Sequence, residues 1–277
     1  MILSDIEQSI KRKIEAIGTP LRDWDISINY GIKTGCNEAF IIDGKKKDEL
    51  IAADPKSAEI IRPILRGRDI KRYGFEFADL YIIATFPSKN YDIDDYPAIK
   101  EYLLSFGMER LEQTGKQYTI NGEIIKSRKK TSNKWFETQD SISYSDDFSK
   151  QKIVWGEISD NPKFALDNSG EFYLEATTFM MTGEHLPYLL AFLNSTLSKY
   201  FFAKLGTTTG VGTVRWKKYK LEEFSIPFPI NVDIKMVNQL DSLIRGQDKI
   251  DPVKIDNSIY NIFSLTEEEI AYIETHA

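Results

Sequence analysis

Cysteine and histidine are scarce in this chain, which has one cysteine, Cys36, and two histidines among 277 residues. A single cysteine excludes an internal disulfide framework and is typical of proteins kept in a reducing compartment. So few cysteines and histidines cannot supply the ligand spacing of a zinc site. We therefore predict no metal site.

Long apolar runs are also missing. The most apolar stretch, 186–205, is interrupted by the Asn194-Ser195 pair and by two lysines, as in a buried amphipathic helix rather than a membrane span. The start of the chain lacks the basic flank and apolar run of a secretory signal. We therefore expect a cytoplasmic protein without a membrane partner.

The common catalytic motifs are absent as well. The sequence has no phosphate-binding loop, no dinucleotide fingerprint, no Gly-x-Ser-x-Gly elbow and no Glu-x-Lys pair of a metal-dependent nuclease. Asn161-Pro162 is followed by Lys163-Phe164, not by the Pro-Tyr of an adenine-flipping motif. We predict no catalytic residue and no cofactor in this chain, although a carboxylate site of an unfamiliar kind stays open.

What the chain does contain is enough apolar material for a core, since 42% of its residues are hydrophobic. Residues 4–17 form a predicted helix whose apolar face we expect to dock on a preceding domain. Further helices are predicted at 46–53, 55–61, 94–106, 186–204, 231–246 and 266–276. Short strands are predicted at 26–30, 39–42, 80–86, 152–156, 163–166, 171–174 and 178–181.

These elements predict an α+β fold with a small β subdomain, a mixed α/β subdomain and a helical C-terminal tail. We divide it into a connector helix at 1–20, a main domain at 21–230 and a helical segment at 231–277. Residues 107–150 are polar and predicted to be irregular, and an ordered loop of that length is usually functional.

The net charge of −6 would disfavour a polyanionic partner if the charge were evenly spread, but it is not. Basic residues gather in three clusters, each beside an aromatic residue or a glycine-rich turn. The members that we select as candidate DNA contacts are Arg66, Arg68, Lys71 and Arg72; Lys126, Arg128, Lys129 and Lys130; and Arg215, Lys217 and Lys218. Each cluster alone could equally be a solvated loop, so the prediction requires that they share one concave face.

Three further residues join these candidates. Trp135 follows the second cluster and could stack on bases or wedge between them, or else anchor the loop in the core. Thr208 and Thr209 lie in a glycine-rich stretch, 206–213, whose backbone N–H groups could reach phosphates, or which could be an ordinary connector. Gly67, within the first cluster, is not itself one of these candidates but permits a close backbone approach.

Several segments occur in a fixed order from about residue 24 onward and carry a resemblance to a known family. They are INYGIKTGCNEAF at 28–40, IRPILRGRDIKRY at 61–73, KIVWGEI at 152–158, LLAFLNS at 189–195, SIPFP at 225–229 and SIYNIFSLTEEEI at 258–270. In this order and spacing the chain resembles the TaqI-like C-terminal specificity domain of Type II (Eco57I-like) restriction-modification methyltransferases.

The resemblance implies a non-catalytic module that recognises a short sequence in double-stranded DNA. It also implies an upstream adenine-specific methyltransferase domain, in the same polypeptide or a partner subunit, which would bind S-adenosylmethionine. The alternative is a stand-alone specificity subunit that acts chiefly through assembly with a methyltransferase. A stand-alone nuclease is disfavoured by the missing metal motif.

Overall fold

The computed structural model describes residues 3–205, 214–245 and 250–277. Helices α1 to α11 are Asp5–Ile17, Asn37–Phe40, Gly44–Ala53, Pro97–Leu104, Met108–Leu111, Leu186–Leu193, Thr196–Leu205, Lys218–Leu221, Ile234–Arg245, Pro252–Ile262 and Glu267–His276. Strands β1 to β16 are Thr19–Pro20, Ile26–Tyr30, Ile41–Asp43, Ile61–Leu65, Ile70–Lys71, Gly74–Phe75, Leu80–Ile83, Gln117–Ile120, Glu123–Lys126, Lys152–Gly156, Ile158–Ser159, Phe164–Asp167, Tyr173–Leu174, Thr178–Gly183, Val214–Arg215 and Ser225–Ile226.

Two four-stranded sheets form the centre of the molecule. The first has the order β12-β10-β14-β2 and is antiparallel throughout. The second has the order β13-β4-β7-β3, in which only β13 and β4 are parallel. The expected α+β class is confirmed.

Alternation along the strands divides the core into layers. In β10, Ile153 and Trp155 belong to the cluster beneath the C-terminal helices, while Val154 belongs to a second cluster between the sheets. In β7, Ile82 faces that second cluster and Ile83 a third, which packs under the small helices α3 and α4. The order of layers is therefore helices, first sheet, second sheet, helices.

The helix predicted at 186–204 is broken into α6 and α7 at Asn194-Ser195. The Asn194 side chain leaves the helix to bond an edge strand: its Nδ2 donates to the carbonyl of Phe164 at 2.8 Å, and its Oδ1 accepts the Phe164 N–H at 3.0 Å. Ser195 Oγ then accepts the N–H of Ser198 at 3.1 Å and starts the next helix. Both side chains bond backbone groups and interrupt the helix.

Helix α1 is covered by this chain's own elements. Ile10 and Ile14 are buried in the same core cluster as the C-terminal helices, and Lys13 of α1 pairs with Glu269 of α11 at 2.6 Å. The expectation that this face docks on a preceding domain is wrong for the two buried isoleucines. The division of the chain at residues 20 and 230 stays a prediction.

Other local predictions change as well. A strand was expected at 39–42, but residues 37–40 form a helical turn and the strand begins at Ile41, because the backbone N–H groups of Ala39 and Phe40 both donate to the Cys36 carbonyl. The region 107–150 contains an antiparallel hairpin, β8 and β9, in place of irregular loop. The strand Ile26–Tyr30 and the capping box of Thr266 with Glu269 are confirmed.

Across the described residues, no helix combines the length and the apolar character needed to cross a membrane.

Candidate nucleic-acid interface

A cleft of about 630 Å³ opens where the ends of the two sheets meet, and we call it the main cleft. It is lined by Asn37, Ile41, Arg66, Gly67, Arg68, Ile70, Lys71, Gly156, Glu157, Ile158, Ser159, Lys163, Glu175 and Thr177. Four of these residues are cations and two are carboxylates. Three of the cations lie within 4 Å of a carboxylate, Arg66 of Asp69, Lys71 of Glu76 and Lys163 of Asp160, so Arg68 is the lining cation without such a partner among the described residues.

Two glycines let the sheets meet at the cleft. A Cβ atom built on Gly156 would lie 3.1 Å from the Cα of Gly67, which is tighter than side chains normally tolerate. The close approach expected at Gly67 therefore occurs against another strand end of this chain.

Arg66 is held in place by Asp69. Its Nε and Nη2 donate to the two carboxylate oxygens at 2.9 and 2.8 Å, and its backbone N–H donates to Asp69 Oδ2 at 2.9 Å. Burial alone would raise the pKa of Asp69, but the bonds from Arg66 outweigh it and lower that pKa. The pair fixes the turn that carries the next arginine into the cleft.

Arg68 is exposed on the cleft wall and, within the residues that the structure describes, makes no ion pair. Its carbonyl accepts a bond from Lys71 Nζ at 3.0 Å, which keeps this second cation beside it. Lys163, which the sequence did not single out, completes the group, with Asp160 as its partner at 2.9 Å. Only the tertiary structure brings Lys163 here, since nothing in its local sequence distinguishes it from other surface lysines.

The third basic cluster reaches the same place through Glu157, a residue of the cleft wall. Strand β15 pairs with β11, which sets Arg215 opposite Ile158. Arg215 Nη1 lies 3.1 Å from Glu157 Oε1, and Lys217 Nζ lies 3.9 Å from the same oxygen. The structure therefore brings two basic segments, distant in sequence, to one cleft.

Lys218 is not part of this arrangement. Its Nζ donates to the carbonyl of Ile28 at 3.0 Å and lies 3.8 Å from Glu222, in a separate groove on the edge of the first sheet. Thr208 and Thr209 lie outside the described residues.

The second basic cluster is divided. Lys126, on β9, lines a neighbouring cleft of about 490 Å³, which we call the second cleft, and Asn37 lines both clefts. Lys129 and Lys130 are exposed just beyond that strand.

Arg128, between Lys126 and Lys129 in the sequence, is only 4% exposed, and its guanidinium donates to four backbone carbonyls. Its selection as a DNA contact is wrong, because the side chain is buried and its guanidinium bonds backbone carbonyls of this chain.

Two other candidate residues, Arg72 and Trp135, make contacts with other residues of this chain. Arg72 donates through Nε and Nη2 to the carbonyl of Asn194 at 3.1 and 2.6 Å, which ties the first cluster to the break between α6 and α7. It does not line the main cleft. Trp135 is half-buried, packs edge-on against Phe136 and accepts a bond from Arg128 through its carbonyl. This favours the core-anchor interpretation of Trp135.

Comparison with known proteins gives one family and two solved structures. The model of the TaqI-like C-terminal specificity domain matches residues 62–227. A search of curated proteins finds no match. Among solved structures, the chain is similar to the Type IIL restriction-modification enzyme MmeI, determined in complex with DNA, with a TM-score of 0.60 and 14% identity over 93% of this chain and 35% of that one.

It is also similar to the Type IIG restriction endonuclease BpuSI, with a TM-score of 0.59 and 12% identity over 99% of this chain and 32% of that one. At these identities the two likenesses concern the fold, and the chain spans about a third of each enzyme. The family model covers more than half of the chain and overlaps four of the six segments quoted from the sequence, while the segments at 28–40 and 258–270 lie outside the match. The chain belongs to the family of TaqI-like C-terminal specificity domains.

Proposed function

We propose that this chain recognises a short target in double-stranded DNA on behalf of a restriction-modification enzyme, with the duplex backbone held at the main cleft. The observation that carries the proposal is the convergence of two basic segments on that cleft: Arg66, Arg68 and Lys71 line it, and Arg215 and Lys217 reach it through Glu157.

The electrostatics of the cleft agree with a polyanionic ligand. Phosphate binding depends on the local field and on the counterions that bound cations release, not on the charge of the whole chain. Asp69 and Glu157 offset part of the positive charge of these cations, while Asp69 also orients Arg66 and Glu157 orients Arg215. Arg68, exposed between these pairs, is the cation best placed to meet a phosphate.

The family and the solved relatives support the class of ligand. The family is described as a specificity domain, which supports a role in selecting the target, and MmeI, which shares the fold, was solved in complex with DNA.

We further propose that the catalytic parts lie outside these residues, in a cytoplasmic enzyme with an adenine-specific methyltransferase domain that binds S-adenosylmethionine. The small share of each relative that this chain spans supports that division.

The test is selection from a pool of randomised duplexes. The full chain is expected to bind duplex DNA more tightly at low salt than at high salt and to enrich one short sequence. Single-stranded DNA of the same composition serves as the competitor and is expected to displace the duplex poorly. Absence of duplex binding at low salt, or binding without any enriched sequence, would count against target recognition.

A further inference from the structure

The hairpin of β8 and β9, which we call the ribbon, stands apart from both main sheets. Its strands pair with each other and, within the described chain, with no other strand. Asn121 and Gly122 join them with φ angles of 52° and 85°, as a two-residue type I′ turn requires. The turn fixes the register, in which Gln117 lies opposite Lys126 and Thr119 opposite Ile124.

The register gives the ribbon two different faces, because side chains alternate along each strand and cross-strand partners share a face. On the inner face, Tyr118 and Ile125 are half-buried, and the Tyr118 hydroxyl donates to Glu112. The outer face is exposed and consists of Gln117, Thr119, Ile124 and Lys126.

The outer face has a composition that folding does not explain. Ile124 is 67% exposed, between polar neighbours, and contributes little to any core. The outer face presents an amide, a hydroxyl, an apolar group and an ammonium side by side. These groups are complementary to the hydrogen-bonding and methyl groups that bases display in the major groove of DNA. A glutamine can bond adenine, methyl-bearing side chains can contact the thymine methyl group, and a lysine can bond guanine.

The position of the ribbon agrees with this use. Strand β9 forms a wall of the second cleft, which adjoins the main cleft at Asn37. A duplex whose phosphates lie at Arg68 would therefore meet the ribbon on the same surface. Phosphate contacts fix the register of a protein on DNA, while contacts to base edges supply the specificity.

We propose that the outer face of the ribbon reads base edges in the major groove, an inference that rests on the proposed function. A two-stranded ribbon fits a groove roughly 12 Å wide. Residues two apart on a strand are separated by about 6.6 Å, close to two base-pair steps of about 3.4 Å. Gln117 and Thr119 therefore read positions about two base pairs apart.

Two single-residue variants of the full chain test the proposal, Gln117→Ala and the nearly isosteric Thr119→Val. Each is expected to relax selection at one base pair by about tenfold or more, at positions about two apart, because each removes a hydrogen-bonding group from a base edge. Affinity for duplexes of random sequence is expected to stay unchanged. The matched control is Ile120→Val on the inner face of the same strand, which is expected to leave the selected sequence as it is.

A second arm removes the ribbon and joins Lys116 to Ser127 through two glycines. The Ser127 N–H already donates to the Lys116 carbonyl at 2.9 Å, so the base of the ribbon is closed before the deletion. The shortened chain is expected to keep salt-dependent duplex binding and to select no sequence.

The outcomes separate the two proposals. If the ribbon variants select the wild-type sequence with wild-type discrimination, base reading by the ribbon is overturned while target recognition stands. If the wild-type chain itself binds no duplex, target recognition fails. If the shortened chain does not fold, the two point variants decide.

Discussion

At the scale of single residues, Arg128 organises the segment that follows the ribbon. Its Nε donates to the Leu111 carbonyl at 2.7 Å, and its Nη1 donates to the carbonyls of Thr34 and Glu137 at 2.8 and 2.7 Å. Burial lowers the pKa of Arg128 to about 10, which still leaves the guanidinium charged at neutral pH. One side chain thus joins three separate parts of the backbone.

We expect Arg128→Ala to lower the free energy of unfolding by about 3 kcal/mol or more, because it leaves several buried carbonyls without donors. Lys129→Ala, at the next and exposed position, is expected to change stability by less than about 0.5 kcal/mol. Urea denaturation of the two variants measures the difference. Equal stabilities would contradict the structural role of Arg128.

Glu157 gives a prediction of opposite sign, a gain of binding. Its carboxylate lies on the cleft wall, contacts Arg215 and Lys217 behind it, and carries a negative charge toward any phosphate in the cleft. We expect Glu157→Gln to strengthen binding to duplexes of any sequence severalfold at low salt, with a smaller effect at high salt. Titration with a labelled duplex at two salt concentrations measures this. Weaker binding would show that orienting the two cations matters more than removing the negative charge.

At the scale of elements, α1 and α11 are joined through one carboxylate. Glu269 accepts bonds from Ser9 Oγ at 2.7 Å, from Lys13 Nζ at 2.6 Å and from the backbone N–H of Thr266 at 2.8 Å. Burial alone would raise the pKa of Glu269, but these bonds outweigh it and lower the pKa from 4.5 to about 2. The ionised form of Glu269 is therefore the one that the folded state favours.

The pH dependence follows from that direction. Since the folded pKa lies below the unfolded one, the stability contributed by Glu269 is present above about pH 4.5 and is lost as the pH falls toward 2. We expect Glu269→Gln to lower stability at pH 7 by roughly 1–3 kcal/mol, and the difference from wild type to shrink in acid. Thermal unfolding between pH 7 and pH 3 measures it, with exposed Glu268→Gln as the control. A constant difference across this range would contradict the assignment.

The elements also show what the sequence could predict. The capping box at Thr266 and the strand Ile26–Tyr30 were predictable because their signals are local, namely a hydroxyl three residues before a glutamate and a run of alternating residues. The ribbon was predictable too, because Asn121-Gly122 is a strong hairpin signal, but the polar composition around it obscured that signal. The break at Asn194 was not, because its cause is a bond to Phe164.

The candidate site was predictable only in part, for the same reason. Local composition identifies Arg68 and Arg128 equally well as basic residues in polar segments. Arg68 is exposed and Arg128 is buried because of the backbone carbonyls that the fold places around each guanidinium. Four carbonyls accept bonds from Arg128. Lys163 shows the converse, an unremarkable lysine that the fold brings to the cleft.

At the scale of the whole molecule, the first sheet packs against the C-terminal helices on one face and against the second sheet on the other. The main cleft opens at sheet ends that Gly67 and Gly156 bring into contact. Acidic residues concentrate elsewhere in the chain, at Asp92, Asp94 and Asp95 and at Glu267–Glu269. An acidic protein can therefore present a locally basic cleft.

The salt dependence of duplex affinity tests this account most directly. We would measure the dissociation constant across a range of salt for the wild-type chain, for Arg68→Ala and for Arg12→Ala, an exposed arginine on α1 away from the cleft. We predict that Arg68→Ala reduces the slope of log affinity against log salt by about one, and that Arg12→Ala leaves it unchanged. Equal slopes for the two variants would contradict a duplex bound at the main cleft.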